Sequence, residues 1–260
     1  LYALESGDSV RDFDVVAFSV GYEMAYTTVL DMLDMSGIPV RSADRPDLLP
    51  LVIAGGSSSV NAEPMTPFID LFILGEGEQV NNELLTLLRR AKAEGWTKRE
   101  FLAQAVKLGG VYVPTMYDIS YNADGTMQAI TPKDGAPEKV IKRVVADFDA
   151  APYPTRPVVP STEVVHDRVS LELFRGCVRG FCQAGHIYRP IRAKKYETLV
   201  QQGIETLKNT GYEDVTLLSL SSSDYRQLPH LLDGLLEYCE PRSIGISLPS
   251  LRADNFSMEI

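Results

Sequence analysis

Residues 168–190 read Arg-Val-Ser-Leu-Glu-Leu-Phe-Arg-Gly-Cys-Val-Arg-Gly-Phe-Cys-Gln-Ala-Gly-His-Ile-Tyr-Arg-Pro. The first seven, 168–174, form a short apolar run and predict a buried strand. A Gly- and Arg-rich loop follows, carrying Cys177 and Cys182. Thiolates crowded on a loop at a strand end suit a soft metal or an iron–sulfur cluster. The chain has 3 cysteines in all, which makes two in one loop less expected by chance. Nearby cysteines are also often small buried hydrophobes, or a pair that oxidises by accident. Two thiolates fall short of the four ligands of a closed zinc site. Spacing alone leaves these alternatives open.

Downstream, the strand–helix rhythm continues. A helix is predicted over 195–210, stopped by Gly211, and a strand over 215–220 that runs into Ser221-Ser222-Ser223-Asp224. A second helix is predicted over 225–239, with Cys239 in its core face, and a third strand over 243–248 ending in Pro249-Ser250-Leu251-Arg252. This pattern opens a β/α barrel.

Upstream, strands are predicted over 14–20, 51–54 and 71–74, and helices over 26–36, stopped by Gly37, and 78–93. The alternation implies a doubly wound, parallel, Rossmann-like α/β sheet. Ligands of such sheets bind beyond the carboxyl ends of the strands. Three of those ends carry small residues: Ser19-Val20-Gly21, Gly55-Gly56-Ser57 and Gly75-Glu76-Gly77. Each alone reads equally as an ordinary turn. Thr97-Lys98-Arg99-Glu100 is a capping box that opens a helix to about Leu108, with Trp96 as a packing staple beside it. A hairpin is predicted over 118–131 with its turn at 122–125, and four prolines make 151–160 an extended linker. The expected organisation is 1–110 as the first α/β domain, 111–162 as hairpin and linker, and 163–260 as the start of the barrel.

The 260 residues carry a net charge of −10 and are 45% hydrophobic and 23% charged, an ordinary globular balance. The negative charge argues against nucleic acid or an anionic membrane as partner. No apolar run reaches the ~18 residues of a membrane span, and no signal peptide or Gly-x-x-x-x-Gly-Lys-Ser/Thr phosphate loop is present. Few cysteines and no pairing pattern fit a reducing, cytoplasmic setting. The first residue is Leu, and the pattern at Ile260 is helix-like, so a piece of a longer protein is expected.

The cysteine loop resembles the signature of radical S-adenosylmethionine (radical SAM) enzymes, Cys-x3-Cys-x-aromatic-Cys. Cys177 matches the first cysteine and Phe181-Cys182 the final aromatic-Cys pair. The middle cysteine is absent, and the gap between Gly180 and Phe181 is short by a Cys and one neighbour. An omission from the sequence, an inactivated protein and a substitute ligand are all open. The close match of the flanks, Arg-Gly-Cys-x-Arg-Gly and Phe-Cys-Gln-Ala-Gly-x-Ile-Tyr-Arg-Pro, favours the first. Those flanks resemble the subgroup with an N-terminal cobalamin (B12)-binding-type domain. So do Asp14-Val-Val-Ala-Phe-Ser, Leu51-Val-Ile-Ala-Gly-Gly and Asp70-Leu-Phe-Ile-Leu-Gly-Glu-Gly-Glu.

The resemblance implies an enzyme with a partial (β/α)6 barrel. Its implied cofactors are a 4Fe–4S cluster, S-adenosylmethionine and cobalamin, and its implied reaction runs through a 5′-deoxyadenosyl radical or methyl transfer. It implies Cys177 and Cys182 as cluster ligands, and Phe181, Ser221, Ser222, Ser223 and Asp224 as SAM contacts. Core packing for Phe181 and a helix cap for Ser223 or Asp224 are the plainer alternatives. It implies Ser19, Gly55, Gly56, Ser57, Gly75, Glu76 and Gly77 as cobalamin contacts. None of His166, His186 and His230 stands in a cobalt-ligating context. Arg175, Arg179, Arg189 and Arg192 read as anion contacts or solvated residues, and Tyr188 as a radical-site or packing residue. No catalytic residue is assigned. An electron donor such as flavodoxin or ferredoxin would be the partner, and the substrate is not readable. The competing readings are a ligand-binding shell that has lost its cluster, and a small zinc or redox protein.

Overall fold

The computed structural model of the protein describes residues 1–162 and 164–252. It divides into two compact units, Leu1–Val145 and Ala146–Ile260. The predicted hairpin belongs to the first and the proline-rich stretch to the second.

The first unit is built on a four-stranded sheet whose spatial order follows the chain: β1 (Val15–Ser19), β2 (Leu51–Gly55), β3 (Leu71–Ile73) and β4 (Val111–Tyr112). β1, β2 and β3 run parallel, with Val16 beside Val52 and Ile53 beside Leu71. β4 closes the edge antiparallel to β3. Every residue of β3 and all but the last of β2 are buried, as expected of parallel strands covered on both faces. α1 (Ala25–Met35) links β1 to β2 and buries Val29 and Leu33, one turn apart. The connection from β2 to β3 holds only 3-10 turns, at Ser57–Asn61 and Glu63–Met65.

α2 (Gly77–Glu94) buries Val80, Leu84, Leu88 and Ala91, the stripe that the 3.6-residue period dictates, and stops at Gly95 in the left-handed conformation. α3 (Lys98–Ala105) starts at the capping box: Thr97 Oγ1 accepts from the Glu100 amide while Glu100 accepts from the Thr97 amide. Trp96 is half-buried against the core and donates to Glu94. The hairpin, β5 (Tyr117–Tyr121) and β6 (Met127–Pro132), forms as the turn residues predict.

The first unit also holds a buried ionic cluster. Asp70, one residue before β3, pairs with Arg45 at 3.0 Å and Lys98 at 2.8 Å, with side-chain exposures of 0%, 3% and 10%. Its other oxygen accepts from the Val52 amide, while Ser42 Oγ donates to the oxygen that holds the two cations. Arg45 also donates to the carbonyls of Pro39, Val40 and Phe68. Burial lowers the Lys98 pKa, opposed by Asp70. One carboxylate thus ties α3 and the 39–47 crossover to the start of β3.

The second unit starts with β7 (Val169–Glu172). The single strand expected over 168–174 is corrected here. Leu173 still donates its amide to Leu218 O, but the chain then leaves the sheet. β8 (Phe174–Arg175) pairs antiparallel with β9 (Arg192–Ala193), closing a small loop around both cysteines. Apolar patterning cannot register a two-residue ladder that pairs Phe174 with Ala193 and Arg175 with Arg192. α4 (Gln183–Ile187) lies within that loop. α5 (Tyr196–Thr210), stopped by Gly211, leads to β10 (Asp214–Leu218), and α6 (Leu228–Cys239) leads to β11 (Gly245–Ser247). The helix expected from residue 225 starts three residues later, where Pro229 occupies its first turn. β10 is central in a parallel sheet of order β11-β10-β7. Cys239 is fully buried, and burial raises its thiol pKa. No helix among the described residues is long and apolar enough to cross a membrane.

Candidate functional site

In the second unit the carboxyl ends of β10 and β11 are tied together. Beyond β10 the chain turns through Ser222–Asp224, and Ser221 and Ser222 are buried. The Ser222 amide donates to Ser250 O at 3.2 Å, and Ser222 Oγ to Pro249 O at 2.9 Å. Arg252 Nη1 donates to both carboxylate oxygens of Asp224 at 3.0 Å, with side-chain exposures of 23% and 13%. Asp224 therefore does not cap the next helix: Gln227 stands at that position, with no side-chain cap. Asp224 also enters any ligand contact already paired with a cation.

One group in this turn is left over. The Ser221 hydroxyl is buried and has no hydrogen-bond partner. A buried hydroxyl without a partner is costly. It lies at the end of the central strand of a parallel sheet, the side on which ligands of such sheets bind.

The cysteine loop is more open. Cys182 is exposed and stands at the N-terminus of α4, while Cys177 is half-buried and its Sγ accepts from the Arg179 amide at 3.4 Å. His186 Nε2 lies 3.0 Å from Gly180 O. Gly185 is required here, because a Cβ would collide with the Arg179 carbonyl. Phe181 is 96% exposed, which rules out the core-packing alternative. Tyr188 is exposed at 40%. Arg175 pairs with Glu172 through Nε and Nη2 and stacks over Phe148. Among the described residues no three His, Cys, Asp or Glu side chains converge as a metal site. Two cysteines supply two of the three thiolates that the cluster signature needs, so this donor set does not fit the complete cluster.

In the first unit the chain itself engages the strand-end residues. Gly56 has φ +96, and a Cβ there would lie 2.6 Å from Val20 O. Gly75 has φ +100 and faces the Arg143 backbone, which forms a bridge with it. Glu76 accepts from the Val145 amide, and Ser57 Oγ donates to Gly21 O. A Cβ on Gly77 would press on Asn81, and one on Gly55 would sit in ordinary contact with Ile73. Ser19, Gly56 and Gly75 stay exposed along the rim. Below it, Val20, Tyr26, Val29, Ala54 and Phe72 line a cavity of about 10 Å³, beside the buried, unpartnered Ser59 hydroxyl. That space holds about one water and no part of a corrinoid.

Residues 1–114 match the family model described as radical SAM proteins, N-terminal. Across its whole length the chain is 23% identical to an uncharacterized protein of Methanocaldococcus jannaschii, of which it covers 49%. The chain thus spans about half the length of the curated relative that it matches. Two structures of the radical S-adenosylmethionine methyltransferase TsrM from Kitasatospora setae are similar at 15% identity. One, with cobalamin and a 4Fe–4S cluster bound, has a TM-score of 0.49 over 90% of this chain and 42% of that one. The other, with tryptophan substrate and a SAM analogue, has a TM-score of 0.46 over 89% and 41%.

The sequence reading did not single out Arg252, which the structure pairs with Asp224.

Proposed function

We propose that this chain is part of a radical SAM enzyme and that its second unit binds S-adenosylmethionine at the strand ends of β10 and β11. The observation that carries this reading is the buried, unpartnered Ser221 hydroxyl. Ser221 would donate to or accept from the ligand, and the Ser222 hydrogen bonds would hold the two loops at a fixed separation. SAM, when bound, supplies a methyl or 5′-deoxyadenosyl group for transfer chemistry.

Ser221→Ala separates binding from folding. Removing an unsatisfied buried hydroxyl leaves the free protein as stable or about 1 kcal/mol more stable. Losing one ligand hydrogen bond weakens SAM binding about 3- to 10-fold. Isothermal titration and thermal unfolding read the two effects. Unchanged SAM affinity in Ser221→Ala would remove this residue from the site.

The incomplete thiolate set favours a second reading, a SAM-binding shell without a cluster. Anaerobic iron–sulfur reconstitution of the intact protein decides between them. About four irons per chain, with an EPR signal that SAM perturbs, supports the enzyme, which then also needs an electron donor of the flavodoxin or ferredoxin kind. A folded, iron-free protein that still binds SAM supports the shell. Cobalamin, which the resemblance implies, would meet the first unit on the exposed rim of Ser19, Gly56 and Gly75. The inner faces of that rim are already occupied by the chain.

A further inference from the structure

The hairpin of the first unit is amphipathic, and its apolar face is open to solvent. The register sets Ile119 opposite Ile130 and Tyr121 opposite Met127. Opposite residues of a ladder share a face, and so do residues two apart on one strand. These four side chains therefore lie together. Tyr121, Met127 and Ile130 are 61%, 46% and 44% exposed. Asp118, Ser120, Ala129 and Thr131 form the other, mostly polar face. Tyr117 ties the base of the hairpin to the core: its ring lies 5.1 Å from that of Tyr112, and its hydroxyl donates to Pro137 O. Among the described residues, none of the four apolar side chains packs against that core, and no third strand joins β5 and β6. A two-stranded hairpin is marginal in water and gains stability when its apolar face is covered.

We infer that this face is an interface between two copies of the chain, packed hairpin to hairpin about a two-fold axis. The inference lies outside the SAM reading and does not depend on it. Charge selects the occupant. Each chain carries a net charge of −10, so two copies repel wherever their acidic surfaces meet. Met127–Pro132 contains no charged residue, and the charge on β5, Asp118, sits on the opposite face and pairs with Lys133. The four-residue face thus offers like-charged chains a place to meet without setting charge against charge. It also holds no charged group that would select a partner of opposite sign. A face that is apolar throughout is complementary to itself, and a two-fold axis makes each contact twice. Sheets packed face to face bury such surfaces as a shared core. A patch of this size suits a weak, reversible dimer rather than an obligate one.

The test is sedimentation velocity on the intact protein up to about 100 µM, a range that captures weak association. The native protein should approach twice its monomer mass as concentration rises. Added salt should strengthen the dimer, because it screens the repulsion between the two acidic chains. Ile130→Lys places a charge in the apolar contact from both copies and should weaken the dimer about 10- to 100-fold. Thr131→Lys makes nearly the same change of charge on the opposite face and should shift it by less than about 3-fold. Ile130→Thr keeps a β-branched strand former, so it carries the test if the lysine variant unfolds the hairpin, and it should weaken the dimer about 10-fold. A native protein that stays monomeric throughout overturns the inference, whatever else covers the face. So does a dimer that weakens with salt, or one that the changes at 130 and 131 affect equally.

Discussion

Asp70→Ala is expected to destabilise the first unit by about 3–5 kcal/mol, the cost of removing one partner from a buried ion pair. The substitution strands two cations. Arg45 keeps its three carbonyl acceptors but loses its counter-charge. Lys98 keeps the Arg45 carbonyl, at 2.8 Å. It also uncovers the Val52 amide, which Asp70 satisfies in the first turn of contact between β2 and β3. Chemical denaturation of the intact protein, followed by circular dichroism, reads the loss as a lowered midpoint. The control is Lys92→Ala, which breaks the exposed pair with Asp14, at 44% and 51% exposure. That change should cost under about 1 kcal/mol. An Asp70→Ala loss no larger than the control's would mean that packing alone holds β3 and that the cluster is dispensable.

Gly75→Ala is the second large effect. At φ +100 an alanine is strained by about 1–2 kcal/mol. Its Cβ would also overlap the Arg143 carbonyl oxygen and lie 2.6 Å from the Arg143 amide nitrogen. Those atoms are backbone, and they cannot rotate away. Arg143 is held on both sides: its amide donates to Leu74 O, its carbonyl accepts from the Glu76 amide, and its guanidinium pairs with Glu83. The substitution must therefore push residues 142–145 off the β3 end, for a total of about 2–4 kcal/mol. Gly95→Ala isolates the backbone part, because Gly95 has φ +68 and open space around it. It should cost only about 1 kcal/mol. The expected signature is a lowered unfolding midpoint together with faster proteolytic cleavage near residue 143 in Gly75→Ala alone. Equal behaviour of the two alanine variants would show that the Arg143 segment yields without cost.

The sequence made the repeating elements legible and hid the contacts that cross between them. Val80, Leu84, Leu88 and Ala91 repeat at helical spacing, so α2 could be read residue by residue, and Thr97 with Glu100 announced α3. Buried parallel strands such as β2 and β3 are short apolar runs that local patterning also finds. The Asp70 cluster was invisible because its members lie on three segments, each of which reads as an ordinary charged residue near a loop. β8 and β9 were missed for the same reason: their ladder depends on a partner that no local period encodes.

At the candidate site, the sequence placed Ser221 and Ser222 just past an apolar strand, and the structure buries both there. The partner of Asp224 was not read, and its helix-cap alternative did not form, because Arg252 claims the carboxylate and Pro229 sets a later helix start. The glycines at the first unit's strand ends suggested room for a ligand. In the structure, Gly56 and Gly75 make room for Val20 and Arg143. A glycine reports close approach, and whether ligand or chain approaches is decided only in three dimensions.

The most direct test of the account is equilibrium binding of S-adenosylmethionine to the intact, folded protein, by dialysis against labelled ligand. The account predicts one SAM bound per chain, with affinity reduced by Ser221→Ala. No saturable binding of SAM to the folded protein would contradict the assignment of the β10 and β11 strand ends as a SAM site.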